Sequence, residues 1–302
     1  MNVQRILVPV DGSRLAEAAL PAACSLAQTL GARLLLLHVL ERDAPAEIHG
    51  EPHLRDAAAA HQYLYELASR LHGEAFDIEL HVHEPGVDEV ATSVCHHANE
   101  HDADLIVMCA HGRTNLRERL IGRTAARIVR SGSVPVLLRT VRSDESSEFH
   151  LHKLLVPLEL RGNVAPALDA ARTLAAPYGA SVTLLSVPEA GAAPGARLLP
   201  GTAALAQEIE RADLERRLGE LAEELRASVP EVDAVVADQR PTPAIVSLSA
   251  ALPADLVIAV IDRDLPRARL FEPSTADELL ARPELTLLVL KRQSAGEAPP
   301  RA

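Results

Sequence analysis

The chain has 302 residues, a formal net charge of −12, 48% hydrophobic residues and only 2% aromatic residues. This length accommodates two domains that can each bury a core, and the acidic balance excludes the basic surface of a nucleic-acid-binding protein. No apolar run approaches the about 18 residues that a membrane-spanning helix needs. We therefore expect neither a nucleic acid nor a membrane as a partner.

The first half of the sequence alternates short apolar runs with helical patterns. Strands are predicted at residues 3–10, 33–39, 77–83, 104–110 and 134–139, and helices at residues 14–30, 54–73, 87–100 and 124–131. Polar loops are predicted at residues 43–53 and 111–122. The alternation predicts an α/β domain with a doubly wound, five-stranded parallel sheet. Ligands of such sheets bind beyond the carboxyl ends of the strands, where the strand order reverses.

The second half repeats the first. The recurring segments are residues 6–10 at 154–158 and 31–32 at 179–180, both 148 residues later, and residues 104–107 at 255–258, 151 residues later. A repeat of this length indicates a duplicated domain. Strands are predicted at residues 153–158, 181–187, 232–237, 255–261 and 285–290, and helices at residues 164–177, 202–228, 242–251 and 274–281. Polar residues and glycines kept in only one copy are not needed for the fold, so each copy is a control for the other.

The repeat sets the predicted domain boundaries. They are a first domain at residues 1–142, a polar linker at residues 143–150, a second domain at residues 151–292 and a disordered tail at residues 293–302. Three cysteines (Cys24, Cys95 and Cys109) do not make a disulfide framework. With no recognisable signal peptide at the start of the sequence, they predict a cytoplasmic location.

Three predicted strands of the first domain end at residues that could hold a phosphorylated ligand. Asp11 follows the first strand and could accept hydrogen bonds from ribose hydroxyls. Val39 lies at the end of the second strand, and residues 109–112 lie at the end of the fourth. Nine residues separate Gly112 from Gly122, after which a helix begins. A glycine turn at a helix N-terminus presents backbone N–H groups to phosphate. From the spacing alone, an ordinary turn and helix cap is the favoured interpretation.

These residues belong to five ordered segments that resemble the universal stress protein family. The segments are Val8-Pro9-Val10-Asp11-Gly12-Ser13, Leu37-His38-Val39, Asp104-Leu105-Ile106-Val107-Met108, His111-Gly112-Arg113, and Gly122 followed by Val134-Pro135-Val136-Leu137. The resemblance covers nearly all of residues 1–142 and, more faintly, residues 151–292. It implies tandem Rossmann-like domains of the adenine-nucleotide α-hydrolase-like type, joined through their last strands as an internal pseudo-dimer. It also implies either ATP binding or a nucleotide-independent role in stress adaptation, since the family contains both kinds of protein.

The resemblance also implies a set of nucleotide-binding residues. In the ATP-binding members the loop reads Gly, two residues, Gly, nine residues, then Gly and Ser or Thr. Here Cys109 stands at the first glycine, and Arg123 stands between the last glycine and Thr124. The resemblance places ribose at Asp11 and adenine at Val39. The implied set is Pro9, Val10, Asp11, Val39, Met108, Cys109, His111, Gly112, Arg113, Gly122, Arg123 and Thr124.

The second domain lacks this set. Asp11 becomes Glu159, and no glycine of the loop is kept, since the equivalents of Cys109, Gly112 and Gly122 are Val260, Arg263 and Pro273. We therefore predict that ATP binding is confined to the first domain, with Mg²⁺ as a companion of ATP.

Histidines and cysteine offer further chemistry. His81 and His83 share a strand face, and His96, His97 and His101 lie on or near the next helix. Zinc would require three or four of them to converge, and we interpret them instead as polar faces in contact with water, with no metal site. Cys109 is interpreted as a small buried apolar residue and not as a redox-sensitive thiol.

The predicted function is stress-response adaptation through ATP binding, by a sensor and not by an enzyme. The first alternative is a scaffold or interaction protein that binds no nucleotide. A slow ATPase is the second alternative, and it is disfavoured because Asp11 alone offers a metal-binding carboxylate at the site. The predicted partners are an adenine nucleotide, a second copy of the tandem chain and an unidentified protein.

Overall fold

The computed structural model describes residues 1–42, 44–48, 50–71, 76–84, 89–110, 121–140, 148–188, 202–262, 275–282 and 284–292. These residues form two compact units. One unit contains the first repeat and the last strand of the chain, and the other contains most of the second repeat. The predicted tail and most of the predicted linker lie outside the described residues, and the domain boundaries stay a prediction.

The first repeat forms five parallel strands in the order β5-β2-β1-β6-β7. The strands are β1 (Arg5–Pro9), β2 (Arg33–Val39), β5 (Ile78–His83), β6 (Leu105–Cys109) and β7 (Val136–Arg139), and a hairpin adds β3 (Glu47–Ile48) and β4 (Glu51–Pro52). The helices are α1 (Arg14–Glu17), α2 (Leu20–Leu30), α3 (Ala57–Arg70), α4 (Val90–Glu100) and α5 (Arg123–Ser131). The predicted doubly wound sheet is confirmed, and its strand order reverses between β1 and β6.

The core follows from the sequence of the strands. In β2 every residue from Leu34 to Val39 is buried, as expected for a strand with helices on both faces of its sheet. The predicted helix over residues 14–30 is wrong in one respect, because it breaks into α1 and α2. Pro21, in the first turn of α2, has no N–H to continue the hydrogen bonds of α1, so the helix restarts there.

The second repeat contributes five strands, of which the last is described below, and the other four are parallel in the order β10-β9-β8-β11. The strands are β8 (Lys153–Pro157), β9 (Ser181–Ser186), β10 (Val232–Val236) and β11 (Leu256–Asp262). The helices are α6 (Ala165–Tyr178), α7 (Thr202–Arg226), α8 (Pro241–Ala251) and α9 (Thr275–Leu280). This order is the one that β5, β2, β1 and β6 have in the first repeat.

Equivalent hydrogen bonds stabilise the fold within each repeat. The carboxylate of Asp104 accepts two bonds from backbone N–H groups at the start of β1, and that of Asp255 accepts two from the start of β8. Gly31 ends α2 and Gly179 ends α6 in the left-handed conformation, at φ 68° and 63°. The sequence repeat therefore preserves the contacts that the fold requires.

The last strand of the chain, β12 (Leu287–Arg292), belongs to the unit of the first repeat. It pairs antiparallel with β7, with Leu288 opposite Leu137. The hydroxyl of Thr140 donates to the carbonyl of Leu285 at 2.8 Å and extends this contact. The predicted pairing of the last strands is confirmed, and β7 has a neighbour along both edges.

No helix among the described residues combines the length and apolar character that crossing a bilayer requires.

Candidate functional site

The point where the strand order reverses brings together the ends of β1 and β6. Asp11 lies two residues after the end of β1, and its Oδ1 accepts bonds from the backbone N–H and the hydroxyl of Ser13, at 2.9 and 2.6 Å. The Ser13 hydroxyl oxygen in turn accepts from the Ala16 N–H and caps α1. Asp11 is thus held at the edge of the sheet where ligands of doubly wound proteins bind.

Gly12 is required by the turn that carries Asp11. Its φ is +89°, a conformation that side chains with a Cβ rarely adopt. A Cβ at this position would also lie 3.1 Å from the side chain of Leu54. The connection between β2 and α3 therefore packs on the turn, and the backbone N–H of Arg14 donates to a Glu51 carboxylate oxygen at 2.7 Å. The sequence prediction does not include this cover, since it assigns Glu51 to a polar loop and Leu54 to a helix at residues 54–73. The predicted helix start is wrong, because α3 begins at Ala57.

The expected adenine contact, Val39, lies at the end of β2 and is 9% exposed, while Val10 is 4% exposed. Both apolar side chains are therefore parts of the core. His38, beside Val39, is fully buried, and its Nδ1 lies 2.9 Å from the Val10 carbonyl. Burial lowers the pKa of His38 and favours the neutral ring. The sequence signal for His38 is a polar residue inside an apolar strand.

Cys109 ends β6, opposite Arg139 of β7 in the strand register. Burial is the main cause that raises the pKa of its thiol to about 12. The thiol is therefore protonated at neutral pH, unlike a reactive cysteine. Met108, one residue earlier in β6, is likewise partly buried. This environment supports the interpretation of Cys109 as a packing residue.

Gly122 precedes α5 at the other end of the predicted loop. Its N–H donates to the carbonyl of Ala110 at 2.9 Å, and Gly122, the N-cap residue of α5, has no side chain with which to cap the helix. The φ of Gly122 is −55°, and a Cβ would meet only the Ala110 carbonyl oxygen, at 3.8 Å. Among the described residues nothing requires a glycine here. Arg123 and Thr124 are exposed on the first turn of α5.

Three predicted site residues, His111, Gly112 and Arg113, lie outside the described residues. In the second repeat, Arg263 and Pro273 also lie outside them. Glu159, the equivalent of Asp11, is exposed, and Val260 is partly buried in β11. The backbone is thus alike in both repeats where it is described, whereas the chemistry at the strand ends differs.

The arrangement fits a phosphorylated ligand in two respects. The start of α5, where the N-cap residue is a glycine, offers N–H groups and the positive end of a helix dipole. Gly122 leaves room for close approach of a phosphate to the backbone. Asp11 supplies a carboxylate at the same edge of the sheet and could accept bonds from sugar hydroxyls or hold Mg²⁺ with the phosphates.

A second group of polar side chains lies on β5 and α4, away from the point where the strand order reverses. His81, His83, His97 and His101 place their rings together here, and we call them the histidine cluster. The ring centroid of His97 lies 4.6 Å from the ring centroids of both His81 and His83. The ring centroid of His101 lies 5.0 Å from that of His81. His97 is 5% exposed. The interpretation of these residues as polar faces in water is therefore wrong for His97.

A doubly wound parallel sheet that is built twice, with polar groups at one reversal point, defines the class of this protein as a tandem α/β protein. The sequence model of the universal stress protein family matches residues 2–139 and 150–291. The chain therefore belongs to the universal stress protein family and carries its domain twice. The resemblance read from the sequence is confirmed.

Individual relatives match one repeat or the whole fold. The chain is 30% identical over 133 residues to a universal stress protein, Sll1654, of Synechocystis sp., covering 44% of this chain and 83% of that protein. It is 32% identical over 150 residues to the Na(+)/H(+) antiporter NhaS5 of Synechocystis sp., covering 48% of this chain but only 20% of the antiporter. A universal stress protein structure from Archaeoglobus fulgidus matches with a TM-score of 0.69 at 16% identity, covering 97% of this chain and all of that one. The last match supports the shared fold.

Proposed function

We propose that this protein acts in stress adaptation by binding an adenine nucleotide, ATP, in the first repeat. The observation that carries the proposal is Gly122, a glycine at the N-cap of a helix that neither its φ nor the described neighbouring atoms require. Close approach of a phosphate is a reason for a glycine at such a position. Asp11, at the same edge of the sheet, would accept bonds from the ribose hydroxyls.

The second repeat is proposed to bind no nucleotide and to support the first. Glu159 replaces Asp11, and proline replaces the last glycine of the loop at position 273. A proline at this position has no N–H to offer a phosphate. One nucleotide per chain is the expected stoichiometry, with Mg²⁺ bound through the phosphates and Asp11.

The protein is proposed to be a sensor and not a catalyst. ATP hydrolysis requires a positioned water and metal ligands, and the nucleotide-binding residues proposed here include one carboxylate, that of Asp11. The cytoplasmic location and association into a homodimer remain predictions from the sequence.

The experiment compares ATP binding by the full chain with binding by Gly122→Ala. The added Cβ has space in the described structure, so Gly122→Ala should keep its fold while obstructing a phosphate. Isothermal titration calorimetry with Mg²⁺ and ATP should show one site, weakened at least about tenfold in Gly122→Ala and Asp11→Ala. Glu159→Ala, the matched change in the second repeat, should bind as the unchanged chain does.

The same samples test for turnover and for bound nucleotide. Mass spectrometry of the denatured, purified protein should release ATP or ADP, and phosphate release from added ATP should not exceed the rate of a protein-free control. Absence of bound nucleotide together with absence of heat at millimolar ATP contradicts the proposal.

Two observations favour a second candidate, a nucleotide-independent interaction protein. Leu54 packs on the turn that carries Asp11, and Val39 has almost no exposed surface for a base. In this candidate the covered turn is a permanent part of the core. Failure of the binding experiment with an intact fold, checked by circular dichroism, would select it.

A further inference from the structure

The histidine cluster is built from two elements that follow one another in the chain. His81 and His83 are two residues apart on β5, so they face the same side of the sheet. His97 and His101 are four residues apart on α4 and its C-cap, so they lie on one helix face. β5 ends the strand order on that side, and both of its histidines are partly exposed. An ion from solution could therefore reach them.

The ring nitrogens of the cluster are close enough to converge on one ion. His97 Nε2 and His83 Nδ1 form a hydrogen bond of 2.7 Å, which a bound ion would replace. One ligand atom from each of His81, His83 and His97 lies within 4.8 Å of the other two. In a tetrahedral site with metal–nitrogen distances of about 2.0–2.1 Å, ligand nitrogens are roughly 3.3 Å apart. Small ring rotations would reach this geometry.

Two further side chains complete the surroundings of these three. The Glu100 carboxylate lies 3.0 Å from His97 Nδ1, although the pair is not aligned for a hydrogen bond. A carboxylate in this place fixes the ring of a metal-binding histidine and leaves its other nitrogen for the ion. His101 Nε2 is buried and makes no hydrogen bond to the part of the chain that the structure describes. This nitrogen could therefore serve as a metal ligand.

The second repeat shows that the fold does not need these histidines. His81 pairs with Leu37 in the sheet, and Val235 occupies the same register opposite Leu185. His101 is the C-cap of α4, and Leu252 is the C-cap of α8. The residue four before Leu252, equivalent to His97, is also a leucine. Four imidazoles gathered in one copy and replaced in the other indicate a local role besides folding.

We propose that His81, His83 and His97 bind one divalent transition-metal ion of the zinc class. His101 is the fourth donor, and Glu100 orients His97. Imidazole ligands suit Zn²⁺, Cu²⁺ and Ni²⁺ better than the oxygen-seeking Mg²⁺ and Ca²⁺. The bound ion ties the edge strand β5 to α4 and stabilises the folded chain, because it binds only where these two elements are packed.

The test uses the full chain without a polyhistidine tag, stripped of metal with a chelator and dialysed. Co²⁺, which gives visible absorption bands in tetrahedral sites, is the first probe, and Zn²⁺ in competition with a chromogenic chelator is the second. We expect one ion per chain, with visible Co²⁺ bands that added Zn²⁺ removes. We also expect Zn²⁺ to raise the melting temperature in proportion to site occupancy.

Matched variants assign the site. His83→Ala combined with His97→Leu should weaken Zn²⁺ binding at least 100-fold, and His101→Leu should weaken it about tenfold. His152→Ala, an exposed histidine in the other unit, should bind as the unchanged chain does. Circular dichroism and melting in chelator establish that each variant is folded. If the double variant is unfolded, His81→Val, which carries the residue of the second repeat, replaces it with an expected loss of at least tenfold.

Two results would overturn the proposal. One is less than half an ion per chain at 10-fold excess of Zn²⁺ over about 10 µM protein. The other is unchanged affinity in a folded cluster variant, which would move any bound ion elsewhere. ATP binding is measured separately, so neither outcome depends on the proposed nucleotide site.

Discussion

At the scale of single residues, burial determines the reactivity of the cysteine thiols. Cys109 ends β6, and burial raises the pKa of its thiol to about 12. Cys95, on α4, also has its thiol pKa raised by burial. A thiol that stays protonated is a weak nucleophile, so neither residue has the properties of a redox sensor.

We expect Cys109 to resist alkylation in the folded protein. A pKa of about 12 leaves roughly a thousandth of the thiolate that an ordinary cysteine has at pH 8. Iodoacetamide labelling at pH 8, followed by peptide mass spectrometry, should show slow labelling of Cys109 and rapid labelling after unfolding in guanidinium. Preferential labelling of Cys109 in the folded chain would contradict this environment and would restore the redox interpretation.

At the scale of elements, two glycines end equivalent helices because the backbone there is left-handed. Gly31 and Gly179 both have positive φ, and a Cβ at either position would contact nothing within 4 Å. Their role is therefore conformational and not steric. Gly219 is different, because it lies inside α7, where glycine is a poor helix former.

Substitutions at these glycines should change stability in opposite directions. Gly31→Ala and Gly179→Ala should each lower the free energy of unfolding by about 1 kcal/mol, since alanine in the left-handed conformation is strained. Gly219→Ala should raise it by up to about 1 kcal/mol, because a Cβ there also has open space. Chemical unfolding followed by circular dichroism measures all three. A loss of stability in Gly219→Ala would show that the helix interior is not as described.

The elements also show which features the sequence could predict. Apolar runs and glycine caps predict the strands and helix ends, because burial and backbone conformation act locally. The break at Pro21 has a local signal, but the helical spacing of the surrounding alanines and leucines obscures it. The packing of Leu54 on Gly12 has no local signal, since it joins residues that are distant in sequence. The histidine cluster could be predicted only in part. The sequence spacing shows that His81 and His83 share a face, and that His97 and His101 share another, but only the fold brings β5 and α4 together.

At the scale of the whole molecule, β12 is the strand that pairs with the outer edge of β7. β12 covers one edge of β7 with backbone hydrogen bonds, and Leu288 beside Leu137 is completely buried. An uncovered edge strand of this kind presents unpaired N–H and carbonyl groups to other chains. By covering this edge, β12 should prevent association of β7 with other chains and also stabilise the fold.

A chain ending at residue 282 should associate with itself. Removing β12 leaves the edge of β7 unpaired, so light scattering during size-exclusion chromatography should show a mass that rises with protein concentration. A chain ending at residue 292 keeps β12 and should behave as the full chain does. A monomeric, fully stable chain ending at residue 282 would show that β7 does not need this partner.

The strand pairing between β7 and β12 also bears on how such a protein can evolve. In an assembly of two identical subunits, every mutation appears in both, so a binding site cannot be lost from one and kept in the other. Here the two strands that meet belong to separately encoded copies of one domain. The two copies therefore differ at these positions, with Asp11 and the clustered imidazoles in the first copy and Glu159 and aliphatic side chains at the equivalent positions in the second. Covalent fusion allows such a difference between the copies to be inherited on one chain.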